Sequence, residues 1–133
     1  MTYLPELRDT LLIPSGTFEA PDKKHLFIVM TEACAGGQHF LLSASTIRTG
    51  VFHDSTCTLA IGCHSFITAP SYIAYAKAMR VGTDHLVKCV EGWLFTPKDK
   101  LSTEEFARVC AGVKISPFTP KWAKIYFDQN GPS

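Results

Sequence analysis

Apolar residues fall in short blocks through the first two thirds of the chain and in helical stripes through the last third. Residues 10–14, TLLIP, form a short apolar run closed by Pro14 and the turn-forming pair Ser15-Gly16. After a polar connection, PDKKHLFIVMT sets charged residues against Leu26, Phe27, Ile28, Val29 and Met30. That block is short for a helix, and its β-branched and aromatic members predict a central strand with both faces covered. Gly36-Gly37 makes a tight reversal, and QHFLLSAS, residues 38–45, returns as the antiparallel partner, so residues 25–45 read as a hairpin. The text then turns polar until CTLAIG offers another short strand. SYIAYAKAMRV, residues 71–81, fits alternation with a gap at Lys77 and also fits a helical stripe through Tyr72, Ala76 and Met79; its strand-rich surroundings favour strand. HLVKCVEGWLF, residues 85–95, predicts one or two short extended pieces around Gly92.

From Leu101 the period changes. Ser102 followed three residues later by Glu105 is a capping-box signature, and Phe106, Val109, Cys110 and Val113 then fall at i, i+3, i+4 and i+7. Gly112 is a plausible stop. A second helix starts at FTPKWAKIYF, with Thr119 as cap, Pro120 in the first helical position, and Trp122, Ile125 and Tyr126 facing inward. Strands first and helices last predict an α+β domain, whose simplest geometry is a small curved antiparallel β-barrel with C-terminal helices. Residues 1–133 read as a single domain, strand-rich over 7–95, helical over 102–128, with a flexible polar tail at 129–133.

Composition changes this picture little. At 133 residues with 46% hydrophobic and 19% charged, the chain is long enough for one core without staples. Thirteen Lys and Arg against 12 Asp and Glu leave a net charge of +1, so attraction for phosphate has to come from a local cluster. Cys34, Cys57, Cys63, Cys89 and Cys110 are odd in number and lack a CxxC pair, which predicts reduced thiols in a cytoplasmic protein. No apolar stretch approaches the ~20 residues of a membrane helix.

The order of these elements resembles the MazF/PemK-type toxin family, an SH3-like barrel. LRDTLLIP is similar to that family's opening strand, with Arg8-Asp9 where a Gly-Asp pair is usual. KKHLFIVMT resembles the second strand, with Lys24-His25 where the family carries Arg-Pro, and HFLLSASTI resembles the third, with Ser45-Thr46 at the Thr-Ser pair. PSYIAYAKAMRVGTDHL and KLSTEEFARVCAGV are like the later strand and terminal helix. The resemblance implies an endoribonuclease that cleaves single-stranded RNA without a metal or other cofactor, forms a homodimer and is silenced by a small antitoxin-like protein.

Cleavage of RNA by its own 2′-hydroxyl needs a base, a cation at the phosphate and an acid for the leaving oxygen. His25 could be base or acid because imidazole titrates near neutrality, Lys23, Lys24 and Arg48 could hold the phosphate, and Thr46 could donate a hydrogen bond. The expected catalytic set is His25, Lys24 and Thr46, and the substrate-binding set Lys23, Ser45, Arg48 and His53. The plainer reading makes His25 a strand-edge residue and Thr46 a turn residue. If the active residues have drifted, the same barrel is a non-catalytic module binding protein or nucleic acid.

His53, Asp54, Cys57, Cys63 and His64 are ligand types that zinc accepts, but without close chelating pairs their spacing predicts buried thiols, His64 bonded to backbone or capping a turn, and no metal. Adjacency of Cys63 and His64 does not bring their side chains together on a strand. Tyr72, Tyr75 and Trp93 could stack bases, although such spacings more often mean packing.

Overall fold

The computed structural model describes residues 3–14 and 23–132. The turn expected at Ser15-Gly16, and Pro21 and Asp22 before the second strand, lie outside them. Seven strands form one antiparallel sheet: β1 (Thr10–Pro14), β2 (Lys24–Val29), β3 (Gln38–Thr46), β4 (Thr58–Leu59), β5 (Ser71–Ile73), β6 (Met79–Gly82) and β7 (Thr96–Lys98). Three helices accompany them: α1 (Thr83–Glu91), α2 (Thr103–Ile115) and α3 (Lys121–Asn130). The strand order is β4-β5-β3-β2-β1-β7, with β6 paired to the early half of β3. The expected closure into a barrel is absent among the described residues: β4 and β7 stand at the two ends of the path, and the sheet is open. Nor, among the described residues, is any helix long and apolar enough to cross a membrane.

The continuous apolar block of β2 is explained by cover on both faces. Leu12, Leu26, Ile28, Leu42 and Ala44 pack with Phe106, Val109 and Val113 of α2 and Ala123, Tyr126 and Phe127 of α3. Their strand neighbours Leu11, Ile13, Phe27, Val29 and Leu41 turn the other way and pack with Val81 and Leu86. Leu86 belongs to α1, which occupies the stretch expected to be extended. Its Leu86 and Cys89 are buried and Val90 packs beside them, a helical spacing hidden by β-branched neighbours. The 71–81 segment is extended at each end, but a single 3₁₀ turn, Tyr75–Lys77, interrupts it. Of the CTLAIG stretch only Thr58–Leu59 is strand.

Helix α2 begins as expected, with Ser102 Oγ accepting from the Glu105 amide at 3.2 Å. The Glu105 carboxylate does not complete the box; it meets Arg108 at 2.6 Å. Phe106, Val109 and Val113 are buried, while Cys110 is only partly covered. Gly112 is not the stop, because the helix runs on to Ile115. A Cβ there would collide with the Tyr75 hydroxyl, which donates to the Val109 carbonyl at 2.8 Å. In α3 the buried stripe is Ala123, Tyr126 and Phe127, leaving Trp122 and Ile125 substantially exposed, and Thr119 Oγ1 makes no capping bond. The helix also takes in residues 129 and 130 of the expected tail.

Arg8 adopts φ 70°, a left-handed conformation that favours glycine. Its backbone is tied at both ends, the amide to Val29 O at 3.0 Å and the carbonyl to the Leu101 amide at 2.9 Å, and its guanidinium donates to Leu101 O at 2.9 Å.

Candidate functional site

The start of β2 and the end of β3 meet at one end of the hairpin. Leu26 pairs with Ala44, so the antiparallel register carried outward sets His25 beside Ser45 and Lys24 beside Thr46. Alternation then turns His25 and Ser45 to the face of Phe27 and Ser43, and Lys24 and Thr46 to the face of Leu26 and Ala44. Hollows follow this division. The larger, of about 390 Å³, is lined by the cations Lys23, Arg48 and Lys77, the imidazoles His25 and His53, and the hydroxyl residues Ser45 and Thr46. Phe52, Tyr72 and Val51 complete its wall. On the other face a hollow of about 170 Å³ is lined by Lys24, Leu26, Ala44, Phe66, Thr68 and Ser71. Lys23, His25 and Thr46 border both.

The expected set is therefore split. His25, Lys23, Ser45, Arg48 and His53 share the larger hollow; Thr46 reaches its border from the end of β3; Lys24 lines only the smaller one. The reason is the two-residue period of a strand, which separates neighbours 24 and 25. Lys77 stands where Lys24 was expected, carried there by the 3₁₀ turn. Its signal in the sequence was the single charge that broke the alternation of residues 71–81.

Charge in the larger hollow is of one sign, and no Asp or Glu lines it among the described residues. His25 responds accordingly. Partial burial, and then the cations Lys23, Lys77 and Arg48, hold its pKa below the ordinary imidazole value. The imidazole is thus neutral at neutral pH, able to accept a proton beside groups that would hold an anion.

Loop 47–57 closes the far wall, and it is anchored. Buried Asp54 accepts from Ser116 Oγ at 2.5 Å and from the Thr56 amide at 2.9 Å. Burial would raise the carboxyl pKa, but the bonds from Ser116 and Thr56 outweigh it and hold it low. The anchor tethers the loop to the end of α2. His53 lies on Tyr72 with ring centroids 5.3 Å apart, and Phe52 meets Phe118 edge-on at 5.4 Å.

The remaining candidates are structural. His64 Nδ1 accepts from the Phe66 amide at 3.0 Å, so Nε2 carries the proton and donates to Asp99 O at 2.7 Å. His64 therefore bonds backbone, as its surroundings suggested, and Cys57 lies in the core. Burial raises the Cys63 thiol pKa, leaving it unactivated for nucleophilic attack. Among the described residues no three His, Cys, Asp or Glu side chains gather as metal ligands. Of the three aromatic candidates Tyr75 is fully buried, Trp93 is almost fully exposed beside Val90 and Pro97, and Tyr72 alone lines the larger hollow. Compared with protein-family models and with curated proteins, the sequence gives no match.

Proposed function

We propose that the protein is an endoribonuclease that cleaves single-stranded RNA without a metal. The observation that carries this reading is a hollow in which three cations gather around an imidazole whose pKa is depressed, with no carboxylate among its described lining residues. Neutral His25 takes the proton of a 2′-hydroxyl, the 2′-oxygen attacks the adjacent phosphorus, and the bond to the 5′-oxygen breaks, leaving a 2′,3′-cyclic phosphate. Lys23, Arg48 and Lys77 hold the phosphate and its developing charge, Ser45 and Thr46 supply hydroxyl donors, and His53 is the candidate acid for the departing 5′-oxygen. The cationic side chains do the work that a metal would otherwise do, and the described lining offers Mg²⁺ no anionic oxygen. The kinship to MazF/PemK-type, SH3-like barrels belongs to the same proposal. It draws support from the left-handed Arg8, at the position where that family carries glycine. A homodimeric state, a small antitoxin-like partner and a cytoplasmic setting are parts of the same proposal.

Incubation with single-stranded RNA in the presence of a chelator tests the proposal. Fragments ending in cyclic phosphate are expected, and His25→Ala should slow their release by ~10²–10⁴-fold while the variant stays folded at the assay temperature. RNA left intact by the native protein, with or without divalent ions, or cleaved as fast by the variant, would overturn it. A second reading, a non-catalytic binding module, is favoured by Lys24, which lines the other hollow instead of joining His25 in the larger one. Salt-sensitive RNA binding without cleavage in both proteins would select it.

A further inference from the structure

Beside the cationic hollow lies a second, of about 120 Å³, whose lining includes Phe52, His53, Tyr72, Lys77, Phe118 and the carboxylate residue Asp54, which Ser116 and Thr56 engage. Phe52, His53, Tyr72 and Lys77 belong to both, so the two hollows adjoin. The first is cationic, and Phe52, Tyr72, Tyr75 and Phe118 make the second rich in aromatic rings. Phe52 is 74% exposed, so most of a phenyl ring is open to contact from outside. It is nonetheless well held. Phe118 supports one edge, and the neighbouring Asp54 is bonded to Ser116, whose Oγ also accepts from the Phe118 amide at 3.1 Å. An exposed ring fixed by a buried hydrogen-bonded anchor is preorganised to stack.

We propose that the Phe52–Phe118 hollow is a nucleobase subsite for the nucleotide next to the phosphate held by Lys23, Arg48 and Lys77. This deepens the ribonuclease proposal and rests on its reading of the cationic hollow as a phosphate site. A single strand suits the arrangement because its base can turn away from its neighbours onto the ring while its phosphate stays with the cations. A duplex keeps its bases inside. Stacking on a phenyl ring tolerates any base, so the subsite supplies affinity and positioning with little sequence preference.

The test uses the full chain, a short RNA oligonucleotide with a 2′-O-methyl group on every ribose, and the same oligonucleotide with one base removed at each position in turn. Binding to these uncleavable probes does not depend on catalysis. Phe52→Ala is expected to weaken binding of the complete oligonucleotide by about tenfold and Phe52→Trp to preserve it. Removing the base at one position should weaken binding to the native protein by a similar factor and have no further effect in Phe52→Ala. If binding depends on Arg48 and Lys77 but not on Phe52 or on any base, or if tripolyphosphate binds as well as the oligonucleotide, the subsite is refuted and the phosphate site stands. If the native protein does not bind the oligonucleotide at all, the phosphate reading fails and takes the subsite with it.

Discussion

The two ends of the β2–β3 hairpin each carry a histidine, and the protein treats them in opposite ways. At the turn end His39 is almost fully buried; its Nδ1 donates to Thr31 O at 2.9 Å, leaving Nε2 to accept from Thr83 Oγ1 at 2.9 Å. Thr31 Oγ1 in turn accepts from the Phe40 amide at 3.0 Å. These bonds close on one another within the fold. At the open end His25 is partly buried, and that burial, followed by the cations Lys23, Lys77 and Arg48, depresses its pKa, a standing cost to the protonated form. A polar group with complementary neighbours stabilises the structure that holds it. Like charges gathered around an imidazole gain nothing from one another and are complementary to an anion brought from outside.

The sharpest way to break this contrast is to remove the closed-end imidazole. His39→Ala leaves a cavity, the buried Thr31 carbonyl and the partly buried Thr83 hydroxyl without their partner, and should lower unfolding free energy by about 3 kcal/mol, read by denaturant titration. His25→Ala, at a side chain that is only partly buried, should cost about 1 kcal/mol. Equal losses at the two positions would erase the distinction.

Next in size is Lys77→Ala, expected to raise KM for RNA about tenfold, or ~1.4 kcal/mol. Since Lys77 helps to hold the His25 pKa down, its loss raises that pKa toward the free value of about 6.5. Catalysis needs the neutral imidazole, so the acid limb of the kcat/KM profile, lying below that value in the native protein, should move to higher pH in the variant. A limb that stays in place would assign it to another group.

The smallest effect concerns the frame behind both ends. Ser102→Ala removes the bond to the Glu105 amide and should cost about 1 kcal/mol in thermal or chemical unfolding, with the acid limb of cleavage unchanged.

Local pattern was enough for the hairpin and for α2. The Gly36-Gly37 pair between two apolar runs marks the reversal, and Ser102 just ahead of the stripe Phe106, Val109 and Val113 marks a helix start. Helix α1 was illegible because its valines favour strand and its stripe is short; contact with Leu11, Phe27 and Leu41 made the helix worthwhile. The site was legible as a cluster of residue types near 23–25 and 45–53. Which side chains converge was not, since Lys24 and His25 part across the sheet and Lys77 arrives from a turn.

By itself, then, the sequence determined that residues 25–45 fold back as a hairpin, where α2 begins, and that positive charge collects beside a histidine, all consequences of interactions between residues close along the chain or of hydrophobic period. Tertiary structure alone decided that the sheet stays open, that Gly112 is needed for the Tyr75 ring, and that Asp54 ties the Phe52 loop to Ser116. Each of these depends on contacts between residues far apart in the chain. Their free energy exists only once the two helical layers have closed over the sheet.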